Sequence, residues 1–99
     1  KVLAQRPRLD VAIIALGERA SVWSVRALQQ LRLAGISASM HYAGGSMKAQ
    51  MKNANREEAC YTLIVGDSEL DEGAFNLKSM DKGTEERLSL ERIIQHLSA

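Results

Sequence analysis

The chain has 99 residues, enough for one domain with a single layered core. Hydrophobic residues make up 45% and charged residues 25%, a globular balance that excludes a disordered or low-complexity chain. A net charge of +1 excludes a polycation, so any affinity for nucleic acid rests on how the charges are arranged.

Cys60 is the single cysteine, which rules out an internal disulfide and a multi-cysteine zinc site and suits a reducing compartment. No apolar run approaches the roughly 20 residues that span a bilayer. The opening Lys1-Val2-Leu3-Ala4-Gln5-Arg6-Pro7-Arg8 is too polar and short for a signal peptide. Residues 1–9 are expected to be a linker cut at a domain boundary, and residues 10–99 the domain itself.

Val11 to Leu16 is apolar without alternation and stops at Gly17, which predicts a strand covered on both faces. A helix follows from about Ala20 to Ala34. Ala20, Trp23, Ala27, Leu28, Leu31 and Ala34 form its inner stripe, and Gly35 stands at its C-terminal cap. Val22, Val25 and Leu33 fall off that stripe, as incidental surface residues or as a contact for a missing part of a longer protein. Ile36, Ala38 and Met40 then alternate with Ser37, Ser39 and His41, a half-buried strand.

Gly44-Gly45 breaks the chain, and Ser46 is placed to cap a second helix reaching about Ala59. Its expected inner face is Met47, Met51 and Ala54. Cys60 to Val65 reads as a third strand, opened by Cys60 as a small core residue, and Asp67-Ser68-Glu69-Leu70 as a short helical turn. Phe75 and Leu77 alternate with Asn76 and Lys78. A turn at Asp81-Lys82-Gly83 and a strand from Glu85 to Leu88 complete a hairpin. A last helix carries Leu90, Ile93, Ile94 and Leu97 inward. The order predicts an α/β fold: a three-layer α/β/α sandwich around a mixed five-stranded sheet.

Lys48, Lys52 and Arg56 are spaced four apart and share one face of the second helix, with Asn55 beside them and Asn53 one step round. Cations neutralise phosphates and amides bond to bases or phosphates, so this face suits an RNA backbone. On spacing alone, a solvated helix face is the commoner origin of such a stripe. Gly44-Gly45-Ser46 could offer backbone N–H groups to an anion or simply form a turn and cap; it lacks the lysine of a P-loop. Glu18 and Asp67-Ser68-Glu69 follow parallel strands at their carboxyl ends. There they could accept hydrogen bonds from base amino groups, or merely suit helix N-termini. His41 and His96 have no metal-motif spacing, and no nucleophile–base–orienter set is visible.

Several motifs together resemble the anticodon-binding domain of class II aminoacyl-tRNA synthetases, and that of the histidine enzymes most closely. They are Leu16-Gly17-Glu18 with Ala20, Leu31-Arg32-Leu33-Ala34-Gly35-Ile36, and Gly44 through Lys52 with its lysine–glutamine helix start. Leu63-Ile64-Val65-Gly66-Asp67-Ser68-Glu69-Leu70, then Gly73 through Lys78 and Gly83, continue the match in order and spacing. Asn53-Ala54-Asn55-Arg56 departs from the family's aromatic-alanine-aspartate step by substituting amides. Glu57-Glu58 stands where small residues such as glycine are common.

The resemblance implies a domain that holds the anticodon stem-loop of a histidine-specific tRNA, with no catalytic residue of its own. A missing N-terminal catalytic region would then use ATP and Mg²⁺ to charge that tRNA, in a cytoplasmic, non-membrane homodimer. Lys48, Lys52 and Arg56 would hold phosphates, Glu18 and Asn53 would contact bases, and Asn55 would be a further RNA contact. The amide substitutions and low net charge also suit a synthetase-like domain repurposed for regulation or protein association. A small-molecule-binding domain of the doubly wound type is a third reading.

Overall fold

A computed structural model describes residues 9–40 and 46–98. The expectations for residues 1–8 of the linker, and for His41 and Gly44-Gly45, lie outside the described residues. The elements run β1 (Val11–Ala15), α1 (Glu18–Leu33), β2 (Ala38–Met40), α2 (Met47–Arg56), β3 (Tyr61–Val65), α3 (Asp67–Glu72), β4 (Phe75–Ser79), β5 (Glu85–Leu88) and α4 (Leu90–Ser98). The sheet order is β2-β1-β3-β4-β5. β1 pairs in parallel with β2 and β3, and the hairpin adds β4 and β5 antiparallel. The sandwich and its mixed five-stranded sheet are as the element order predicts.

Topology decides which helix covers which face. From β1 the chain steps outward to β2, then returns across β1 to reach β3. Two right-handed crossovers in opposite directions place α1 and α2 on opposite faces. Val11, Ile13 and Ala15 therefore pack against Ala20, Leu28 and Leu31 of α1, in one cluster with Leu63, Val65, Phe75, Leu77 and Ile93 of α4. Trp23 stacks on Phe75 with ring centroids 4.3 Å apart. The opposite face has a much smaller core, in which Ala12 meets Ala54 and Ala59 with Leu9 at the rim.

Four expectations are corrected. The inner face of α2 is Gln50 and Ala54, not Met47, which is 42% exposed; Met51 is half-buried. Gln50 displaces the methionine because its amide finds backbone partners in β1 (below). On α1, Ser24 joins the buried face, Trp23 is half-buried but packs against the core as expected, and Ala34 is exposed as the C-cap residue beyond the helix end. Cys60 precedes β3 and is half-buried, and α2 ends at Arg56 rather than Ala59.

Candidate nucleic-acid interface

Ser46 caps α2 as expected, its Oγ accepting from the Ala49 N–H at 3.2 Å. The side chains then follow from helical geometry. Successive residues turn by about 100°, so with Gln50 and Ala54 inward, Lys52 points directly away from the sheet. Lys48 and Asn55 lie to one side of Lys52 and Arg56 to the other. All four are exposed.

The two flanks of α2 face different neighbours. Ser39 lies on the α2 side of β2, since Ala38 and Met40 join the opposite core. Its Oγ donates to the Glu57 carboxylate at 3.3 Å. Glu57 shares its helical flank with Asn53, so that flank looks toward the β2 edge. The other flank, with Met51, Lys48 and Asn55, looks toward the β3 side of the sheet. The structure thus brings Lys48, Lys52, Asn55 and Arg56 together and sets half-buried Asn53 on the far side.

α2 covers β1, and the same face of the sheet stays buried at Thr62 and Ile64 of β3 before it becomes half-open at β4 and β5. Phe75, Leu77 and Ser79 point to the α1–α4 side, so Asn76 and Lys78 point to the α2 side and are only half-buried. Arg87 pairs with Asn76 across the hairpin and shares that face. Its guanidinium reaches Glu72 at 2.8 Å and Glu69 at 3.7 Å in α3. Asn76, Lys78 and Arg87 were not singled out from sequence. The alternation in β4 was the available signal, but it carries no sign that this face lacks a covering helix.

Glu18 goes elsewhere. It lies in the first turn of α1 and lines a groove of about 1040 Å³ with Val22, Trp23, Leu70, Phe75 and Leu90, on the side of the sheet away from α2. Beside it, Arg19 pairs with Asp71 at 3.0 Å and Asp67 at 3.6 Å. Glu69 is mostly buried, its carboxylate folded over Gly66, where an added Cβ would meet Oε1 at 2.7 Å. Among the described residues no group of histidine, cysteine or acidic side chains could hold a metal ion, and no helix is long and apolar enough to cross a membrane.

The structure thus defines an α/β domain with an amide- and cation-bearing helix on one face of a half-open mixed sheet. Residues 10–99 match the family described as the anticodon binding domain, and the chain belongs to that family. Its relatives include histidine–tRNA ligases. The enzyme of Symbiobacterium thermophilum is 46% identical over 94 residues, covering 95% of this chain and 22% of the ligase. That of Halothermothrix orenii is 40% identical, over 90% of this chain and 21% of the ligase. Among solved structures, the apo histidyl-tRNA synthetase of S. aureus superposes with a TM-score of 0.88 at 33% identity, over 93% of this chain and 24% of that one. The RNA-binding domain of the threonyl-tRNA synthetase of Cryptosporidium parvum Iowa II shares the fold, with a TM-score of 0.83 at 18% identity, over 90% of this chain and 22% of that one. The chain thus spans about a fifth of the ligases it matches.

Proposed function

We propose that this domain grips the anticodon stem-loop of a histidine-accepting tRNA, so that a catalytic region elsewhere in a longer ligase can charge the acceptor end. The observation that carries this is the exposed outer face of α2, with Lys48, Lys52 and Asn55 toward the side of the sheet whose half-open end bears Asn76, Lys78 and Arg87, and with Arg56 across the helix from them. Phosphates would lie along the helix, where cations replace condensed counterions. Loop bases, splayed out of the stack, would present their edges to the amides and cations of β4 and β5. Asn53 is better read as supporting the β2 side than as a base contact, and Glu18 as part of the groove beside α1.

Under this reading the fragment itself supplies no catalytic group. ATP and Mg²⁺ would act in the catalytic region of a cytoplasmic homodimer. The test replaces Lys48 and Lys52 together by alanine in the complete protein and titrates a histidine-accepting tRNA across a salt series. Affinity should fall and its salt dependence flatten by about two in log–log slope. An unchanged slope would remove α2 from the interface. A second reading, protein association, is favoured by the groove, where Val22 is 71% exposed beside the Trp23–Phe75 stack. A Val22→Asp variant that keeps tRNA affinity but changes the sedimentation of the complete protein would support it.

A further inference from the structure

Gln50 is a glutamine with its side chain 2% exposed, buried where α2 meets β1. Its Nε2 donates to the Ala15 carbonyl at 2.8 Å, and its Oε1 accepts from the Ala15 N–H at 3.1 Å. The direction of these backbone groups follows from their neighbours. Val11 donates to Ser37 on the β2 side, and Leu16 donates to Val65 of β3. With a two-residue period, Ala15 turns its N–H and carbonyl toward the β2 side. Among the described residues the β1–β2 ladder ends with Ile13 opposite Met40. The amide of Gln50 therefore extends that ladder by one residue, standing in for a peptide group of a neighbouring strand.

The rest of the α2–sheet contact is poor in directional information. From the helix side that core is methyl-sized, Ala54 with Ala59 just beyond the helix meeting Ala12, on a sheet face that also buries Ile14 and Ile64, whereas α1 buries Leu28 and Leu31 and stacks Trp23 on Phe75. Such a contact leaves α2 freer to roll than α1, because apart from Gln50 the helix buries only Ala54 and sends no large side chain of its own fully into a facing hollow. A pair of opposed hydrogen bonds to one residue does not. We propose that Gln50 is a positioning residue for the RNA-facing surface of α2: by clamping Ala15 it fixes the roll of the helix, and so the directions of Lys48, Lys52, Asn55 and Arg56. Lys48 and Lys52 each lie two residues from Gln50, so a roll about that anchor swings both across the rim of the open sheet face. This rests on the reading of α2 as an RNA-binding surface.

The test is a double-variant cycle on the complete protein, read as affinity for a histidine-accepting tRNA transcript and its salt slope. Gln50→Leu keeps roughly the volume and removes both hydrogen bonds to Ala15. It should weaken binding about five- to tenfold and lower the slope by about one, while unfolding stays cooperative. In a Lys48→Ala/Lys52→Ala background the same replacement should cost little more, because the side chains it aims are gone. Gln50→Glu guards against a folding failure of the leucine variant. Ionised, it sets a carboxylate against the Ala15 carbonyl; protonated, it regains a donor for it. Its tRNA affinity should therefore approach that of the unsubstituted protein as the pH is lowered, each compared at the same pH. Full affinity for Gln50→Leu, an additive loss in the double-lysine background, or a pH-independent deficit for Gln50→Glu would each overturn the proposal. A double-lysine variant that binds normally would instead overturn the reading of α2 itself, and the proposal with it.

Discussion

Glu58 occupies at the end of α2 the position that Gly35 occupies at the end of α1. Both have left-handed backbone, with φ of 58° and 84°. Both are followed by an amide that reaches back five residues, Ala59 to the Ala54 carbonyl at 3.1 Å and Ile36 to that of Leu31 at 3.0 Å. This is the glycine-type helix ending, and only one of the two has the glycine. A side chain in that region costs about 1–2 kcal/mol, which glycine avoids at some entropic expense. Glu58→Gly should therefore stabilise the domain by about 0.5–1 kcal/mol, and Gly35→Ala should destabilise it by about 1 kcal/mol. Denaturant midpoints at constant m-value would measure both. A lower midpoint for Glu58→Gly would contradict the strain argument.

The two asparagines of α2 separate by function. Asn55 shares the outer strip with Lys48 and Lys52, whereas Asn53 shares its flank with Glu57, which accepts from Ser39. Asn55→Ala is expected to weaken tRNA binding by about two- to tenfold, the worth of one net hydrogen bond. Asn53→Ala should leave affinity within error. Equal losses would mean that RNA reaches both flanks of the helix.

On the open sheet face, Lys78→Ala should reduce the salt slope of tRNA binding by about one. Arg87→Ala should weaken binding more. Besides removing a cation, it leaves the Glu69 and Glu72 carboxylates without their partner beside the RNA. Adding Glu72→Gln to Arg87→Ala should then restore part of the affinity, a recovery that simple loss of a phosphate contact does not produce.

Arg19 offers a contrast. Its pairs with Asp67 and Asp71 join side chains that are 58%, 70% and 68% exposed. Ion pairs in that setting are screened and usually contribute under about 1 kcal/mol. Arg19→Ala should shift thermal unfolding only slightly and leave tRNA binding unchanged. A large loss of stability would mean that Arg19 holds α3 in place.

Much of the fold was legible along the chain because its signals are local. Gly35 ends α1, Ser46 starts α2, and the alternation of Phe75 and Leu77 sets the hairpin, each by the backbone preferences of one or two residues. The inner face of α2 was misread for an equally physical reason. Periodicity ranks Met47 above Gln50 as a core residue, but burial of Gln50 depends on hydrogen-bond partners 35 residues away in β1. The cation strip was readable from its spacing. The open face bearing Asn76, Lys78 and Arg87 was not, because exposure there depends on where α2 stops.

The residues alone determined the kind and order of the elements and the mixed sheet, since propensity and hydrophobic period act over a few neighbours; the resemblance to anticodon-binding domains lay separately in motifs such as Gly44 through Lys52. Only the tertiary arrangement decided which asparagine joins the cations, that Glu18 belongs to another side of the molecule, and that a glutamine amide extends the edge of β1. Those outcomes depend on contacts between distant segments, whose energies exist only once the sheet has formed.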